Sequence, residues 1–216
     1  MIDLHTHTLH SDGELLPTEL ARRARVIGYR ALAITDHADE SNIEELLTRI
    51  SRVAVELNRR GDLKVVPGVE LTHIPPARIP ALVREARALG AGIVVGHGET
   101  IVEPVAPGTN GAYIRAGVDI LAHPGLIGDR EARLAASGGV HLEISARKGH
   151  CLGNGHVAAT AGRHGIRLVF NTDAHSPGDL ATEGFAASVV LGAGLTKTDF
   201  RKMQKNAETI VKKALA

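Results

Sequence analysis

The sequence has no tryptophan, only three phenylalanines and two tyrosines, and a single cysteine. Aromatic poverty forces the core to be aliphatic. It also removes the stacking platforms on which single-stranded nucleic-acid binding leans. Cys151 alone can form neither an internal disulfide nor a cysteine-rich zinc site, and it is compatible with a reducing cytosol. No apolar run nears the roughly 20 residues of a membrane span. The first ten residues lack the basic-then-apolar order of a secretory signal, so a cytoplasmic location is expected. Net charge is +1 with Lys and Arg scattered, which leaves no basic footprint for DNA. Neither a GxGxxG nor a GxxxxGKS/T phosphate loop occurs, nor a GxSxG elbow. From these absences a nucleic-acid or membrane partner is not expected.

What is present is histidine, 12 of them in 216 residues, beginning with MIDLHTHTLHSDGE. A tag would be a consecutive run, and an exposed strand would prefer Thr, Lys and Glu at its polar positions. Residues two apart on a strand share a face, so His5 and His7 project together, an arrangement that suits a metal. Downstream, one phrase repeats: an amphipathic stretch, a glycine, a short apolar run, then a metal-capable residue. PTELARRARVIGYRALAITDH opens with Pro17 at a helix start and ends on Asp36 and His37. NIEELLTRISRVAVELNRRG, with Ile43, Leu46, Leu47, Ile50, Val53 and Leu57 at helical spacing, precedes LKVVPGVE and Glu70. Later runs deliver His97, His123, Glu143, Asp173 and His175. TKTDFRKMQKNAETIVKKALA reads as a closing helix with Thr198 as N-cap.

This is the grammar of alternating α/β structure around a parallel sheet. Seven strands are expected, near 2–5, 31–35, 64–69, 92–96, 118–122, 140–144 and 167–171. Nearly every one ends on a polar residue. In a barrel those ends meet at one mouth, whereas the outer strands of an open sheet would be too far apart to share a small site. The expectation is a distorted (β/α)7 barrel, one domain over residues 1–216, with a metal site at the C-terminal ends of its strands.

The strand ends supply His5, His7, Asp12, His37, Glu70, His97, His123, Asp173 and His175. Any one of them has a commonplace alternative as a hydrogen-bonded loop residue. Gathered at one mouth without a cation, nine such groups would face a large desolvation and repulsion cost. A nitrogen and oxygen donor set with no thiolate favours zinc, manganese or iron. His73, already past its strand end and before Pro75-Pro76, is assigned to a loop. His10, His141, His150, His156 and His164 are assigned structural roles.

HTHTLHSDG, TDH, GVE, His97, the AHPG histidine and NTDAH together resemble the motifs of the PHP (polymerase and histidinol phosphatase) family, from Asp3 to about Asp179. GVELTHIPP, EPVAPGTN and LEISARKGH are most similar to its small stand-alone, histidinol-phosphatase-like members. The resemblance implies a distorted barrel holding two or three divalent ions. One ion would take His5, His7, Glu70 and Asp173. A second would share Glu70 and add His97 and His123, and a third would take Asp12, His37 and His175.

Three dications against three carboxylates leave the site roughly +3, a charge suited to hydroxide plus a phosphate monoester dianion. The expected function is therefore a phosphoesterase that hydrolyses a small phosphomonoester by attack of a metal-bound hydroxide on phosphorus. Glu70 and Asp173 are its catalytic carboxylates, with Asp36 as a candidate for proton handling. Arg147 and Lys148 are candidates to grip phosphate, and Glu143 either contacts substrate or orders a ligand histidine. The competing expectations are a phosphodiesterase or nuclease, and a non-catalytic metal-binding partner domain.

Overall fold

In the computed structural model the backbone is described for all 216 residues, and every side chain but that of Arg60. Eight strands and eight helices alternate: β1 (Ile2–Asp3), α1 (Pro17–Val26), β2 (Ala31–Ile34), β3 (His37–Ala38), α2 (Ile43–Arg60), β4 (Lys64–Leu71), α3 (Ile79–Ala88), β5 (Ile93–His97), α4 (Thr109–Ala116), β6 (Ile120–Ala122), α5 (Asp129–Gly138), β7 (His141–Ser145), α6 (Asn154–His164), β8 (Leu168–Asn171), α7 (Glu183–Gly192) and α8 (Lys197–Ala214). The order around the sheet is β1-β2-β4-β5-β6-β7-β8, all pairs parallel, with the two-residue β3 beside β4. This is the seven-stranded barrel expected from the repeat. The extra strand β3 exists because the chain after Thr35 shifts to pair His37 with Glu70.

Side-chain alternation divides the interior into layers. Ile2, Ala33, Val66, Ile93, Val95, Ile120, Ala122 and Val169 form one cluster, together with Ala207, Ile210 and Val211 of α8. The alternate residues Leu32, Ile34, Val65, Val94, Leu121, Leu142 and Phe170 pack outward against the helices. Helix α8 touches the starting ends of several strands. Gln204 bonds both backbone groups of Ile2, Asn206 bonds the carbonyl of Leu168, and Lys213 lies 3.8 Å from Asp119. It therefore plugs the bottom of the barrel with apolar side chains. Its N-cap is Thr196, in a capping box with Asp199, and not Thr198, which falls within the first turn.

The seam between β1 and β8 closes through side chains more than through a backbone ladder. A lone parallel bridge joins Thr6 to Ala174. The Leu4 amide donates to Asn171 Oδ1 at 2.8 Å, and the Thr172 hydroxyl donates to Asp3 Oδ2 at 2.5 Å. Asp3 is fully buried and also accepts from the backbone amides of His5 and Thr172. Burial outweighs those bonds and pushes its carboxyl up to about 7. Among the described residues, no helix is long and apolar enough to cross a membrane.

An acid whose folded pKa is raised stabilises the fold below its unfolded pKa and loses that contribution as pH rises through the folded one. Asp3 should therefore cost stability progressively between about pH 4 and pH 7. Asp3→Asn, which keeps an acceptor for the seam, should flatten the fall in melting temperature over that window relative to wild type. Superimposable pH curves would refute the assignment.

Candidate metal centre

The upper layer of the barrel interior is polar. Glu70 stands on β4 in the same alternation as Val66, and His97 ends β5 in the same alternation as Val95. Glu70 is completely buried. Its Oε1 lies 3.3 Å from His5 Nε2, 3.2 Å from His97 Nδ1 and 3.3 Å from His123 Nε2. Its Oε2 lies 2.7 Å from His37 Nδ1 and 3.7 Å from His7 Nε2. Asp173 Oδ1 is 3.2 Å from His7 Nε2, and Asp12 is 3.1 Å from His175 Nε2 and 3.5 Å from His37 Nε2. Donor atoms bound about 2.1 Å from one ion sit about 3 to 3.4 Å apart, so these spacings match shared coordination. Four-atom or three-atom ligand groups within 4.8 Å arise as His7/Asp12/His37/His175, His5/His123/Asp173, His5/His7/Glu70 and His37/Glu70/His97. All nine residues singled out from the strand ends are brought together.

Several buried atoms in this cluster have no hydrogen-bond partner: His5 Nε2, both ring nitrogens of His7, His97 Nε2, His123 Nδ1 and Asp173 Oδ1. Orphaned buried polar atoms each cost about 1–3 kcal/mol, and a shared set of nitrogen and oxygen lone pairs is what a divalent ion satisfies. The residues present therefore fit such ions. The backbone also bends to serve the cluster. His123 and Asp173 occupy the left-handed region, at φ 28° and 53°, a conformation that costs a non-glycine residue energy and recurs at functional sites. Gly13 is required where it is: a side chain there would meet the backbone of His7 at 2.6 Å.

Charge in the cluster is strongly coupled. Burial pushes the Glu70 carboxyl up, yet the imidazoles of His5, His97 and His37 outweigh it and hold it well below the usual range. His97 is pulled down by burial and raised by Glu70 and Glu103 to about 10. His7, dominated by burial, falls to about 4. Protons are thus held unequally on neighbouring rings, and cations entering the cluster must displace them.

Above the buried floor opens a cleft of about 280 Å³, lined by Asp12, His37, Thr72, His73, His97, Glu103, His123, Arg147, His150, Asp173 and His175. Arg147 reaches into it, with Nη1 donating to the Asp173 carbonyl at 3.4 Å. Of the four candidates outside the nine donors, three do not contact it. Lys148 is exposed and absent from the lining. Asp36 is buried and spends both oxygens locally, accepting from the Thr8 amide at 2.6 Å, the Thr8 hydroxyl at 2.7 Å and Ser11 Oγ at 2.7 Å. It pins the loop that carries His7 and Asp12 and is absent from the cleft lining. Glu143 lies beneath the floor, 2.9 Å from His5 Nδ1, and also accepts from the His123 amide and Asn171. Its contact is with His5, and its side chain is buried away from the cleft lining.

Sequence reasoning missed His73, Glu103 and His150. Glu103 Oε2 lies 3.0 Å from His97 Nε2 and 3.2 Å from His73 Nε2, and its Oε1 lies 3.3 Å from His150 Nε2. Glu103 sits in a Gly/Pro-rich loop with no periodicity, so its direction could not be read from spacing. Glu143 has the arrangement by which carboxylates fix the tautomer of metal-binding histidines. Glu143→Ala should accordingly weaken divalent-ion affinity about 10- to 100-fold, measured by competition with a chromogenic chelator. Unchanged affinity would show that the His5–Glu143 bond serves the fold alone.

Residues 3–107 match the PHP domain family. Over 199 residues, 91% of this chain and 91% of its counterpart, the sequence is 51% identical to "Uncharacterized protein MJ1295" of Methanocaldococcus jannaschii. A stretch of 72 residues, 33% of this chain and 22% of the other, is 40% identical to the 5'-3' exoribonuclease Rnm of Escherichia coli. Among solved structures, a chain of archaeal ribonuclease P with mature tRNA matches with TM-score 0.73 and 18% identity, covering 99% of this chain and 91% of that one. Histidinol phosphate phosphatase from Lactococcus lactis, complexed with zinc, L-histidinol and phosphate, matches with TM-score 0.61 and 17% identity, covering 99% and 93%. Such distant structural likenesses establish the barrel and nothing finer. With its motif segment matched to a family of metal-dependent hydrolases that includes phosphatases and nucleases, and its donors gathered at the barrel mouth, the chain belongs to the PHP domain family.

Proposed function

We propose that residues 1–216 form one catalytic domain that hydrolyses a small phosphomonoester with the help of two or three divalent ions, zinc, manganese or iron. The observation that carries this reading is the convergence of nine donor side chains from six strand ends, with buried ring nitrogens left unpartnered beneath a small cleft. His5, His7, Glu70 and Asp173 would hold one ion, Glu70, His97 and His123 a second, and Asp12, His37 and His175 a third. Bound there, divalent ions supply Lewis acidity and bring the pKa of water towards about 7. Glu70, with each oxygen facing different imidazoles, keeps adjacent ligand groups in one register. Asp173 joins the His5/His7 side to the His123 side. Arg147, at the rim, supplies a guanidinium suited to phosphate oxygens. The cleft's small volume favours a phosphoryl group with a modest alcohol over a folded polynucleotide.

A second reading, cleavage of a phosphodiester in a nucleotide or nucleic acid, draws support from the exoribonuclease likeness over the segment that carries the first motifs. A hydrolysis panel separates the two. After elemental analysis, metal-loaded protein is offered p-nitrophenyl phosphate, its bis-diester, histidinol phosphate, nucleotides and a short RNA. Monoesters should be turned over in preference, and a chelator should abolish turnover. Preference for the diester or RNA would replace the first reading with the second, and turnover of none after reconstitution would leave a metal-binding partner domain.

Three substitutions sharpen the test. Glu70→Gln should lose activity by at least 10³-fold, an order-of-magnitude expectation for a removed electrostatic group, together with bound metal. Arg147→Ala should chiefly raise KM, whereas Lys148→Ala should leave kcat/KM unchanged. Equal effects at positions 147 and 148 would contradict this placement of the phosphate grip.

A further inference from the structure

Two imidazoles lining the cleft, His73 and His150, belong to none of the ligand groups assigned above. His150 begins the 3₁₀ turn after β7 and is buried, with its ring stacked on that of His123 at 4.1 Å and 19°. Its Nδ1 lies 2.7 Å from the hydroxyl of Thr100, across the cleft wall on the β5–α4 loop. Its Nε2 faces two carboxylate oxygens, Glu103 Oε1 at 3.3 Å and Asp173 Oδ2 at 3.8 Å. A nitrogen lone pair directed at two anionic oxygens would be repelled, which places a proton on Nε2, while the contact with Thr100 fixes the other ring nitrogen. The ring is thereby a donor with a fixed direction.

Arg147, three residues earlier on the same turn, places Nε 3.9 Å from the same Asp173 Oδ2. Neither 3.8 nor 3.9 Å is a hydrogen bond. Two N–H donors thus converge on the outer side of one carboxylate without bonding to it. Lys148 and Gly149, between them in sequence, allow the turn that aims both inward. Gly149 has φ 90°, and a side chain there would press on Val102 at 3.3 Å. Glu103 is the one acidic group close to His150 Nε2 besides Asp173, and its two oxygens are shared between His150 and the pair His97 and His73.

We propose that His150 is a phosphate-contacting residue of the site, its Nε2–H acting with Arg147 to hold an oxygen of the substrate's phosphoryl group. This rests on the phosphoesterase reading and identifies, within it, a donor that is not a metal ligand. Thr100 is a positioning residue acting through the ring.

The probe is inorganic phosphate, titrated by calorimetry into the metal-loaded full-length protein. His150→Leu should raise the phosphate Kd about tenfold or more, the loss expected for one hydrogen bond to a charged group, with metal content equal to wild type. His150→Gln, which returns an N–H donor, should recover most of the affinity, and Thr100→Val should give an intermediate loss. Wild-type affinity in His150→Leu would overturn the proposal, as would loss of bound metal in that variant, which would make the ring a part of the metal site. A wild-type protein that takes up metal but binds no phosphate would instead remove the phosphoesterase reading itself.

Discussion

A fully buried carboxylate ringed by imidazoles governs this structure. Glu70 has no access to water, and five histidines stand within 4 Å of its oxygens. In a low-dielectric interior an isolated carboxylate would be expelled or neutralised. Here the surrounding rings keep it charged, and it in turn keeps them close. The same arrangement leaves ring nitrogens without partners, so the cluster is electrostatically bound together yet incomplete in coordination. That combination is what a cation-binding site requires and what a purely structural polar core avoids.

The remainder of the barrel serves that constraint. The lower interior is narrow, filled by Ala31, Ala33 and Ala122 alongside branched residues, and sealed from below by α8. The polar layer consequently opens at one end. Around it runs a second set of contacts: Glu143 under His5, the Asp173 carbonyl on His175 Nδ1, Thr72 on His37 and Asp36 under the first loop. These partners fix ring orientation, and fixing orientation is how a site built from six strand ends attains defined geometry. The strained backbone at His123 and Asp173 is held in place by the same network.

Two further polar residues, the proton-handling candidate Asp36 and Glu143, for which contact with substrate and ordering of a histidine were both open, belong to this supporting layer. Asp36 stands beside His37 in the chain, but strand alternation sends the neighbouring side chain elsewhere, and Thr8 and Ser11 take up its oxygens. Glu143 lies within β7, too low in the barrel to meet a substrate. His150, assigned a structural place from the sequence, lines the cleft; it shares a segment with Arg147 but has no strand or helix period to reveal its direction. Its placement depends on a turn whose geometry is set by Gly149 and by the opposing loop at Thr100.

The linear sequence determined the alternating α/β architecture, the seven-strand count and the nine polar residues that meet at the mouth, because those rest on local periodicity and on residues tied to strand ends. It equally determined the aliphatic core and the donor chemistry, nitrogen and oxygen without sulfur. Only the tertiary structure decided which carboxylates face the cleft, which lie beneath it, and that Glu103 and His150 belong to its wall. Those distinctions arise from contacts between segments 47 to 138 residues apart in the chain, where the positions of two segments relative to each other are set by the closed barrel and by nothing in either segment alone.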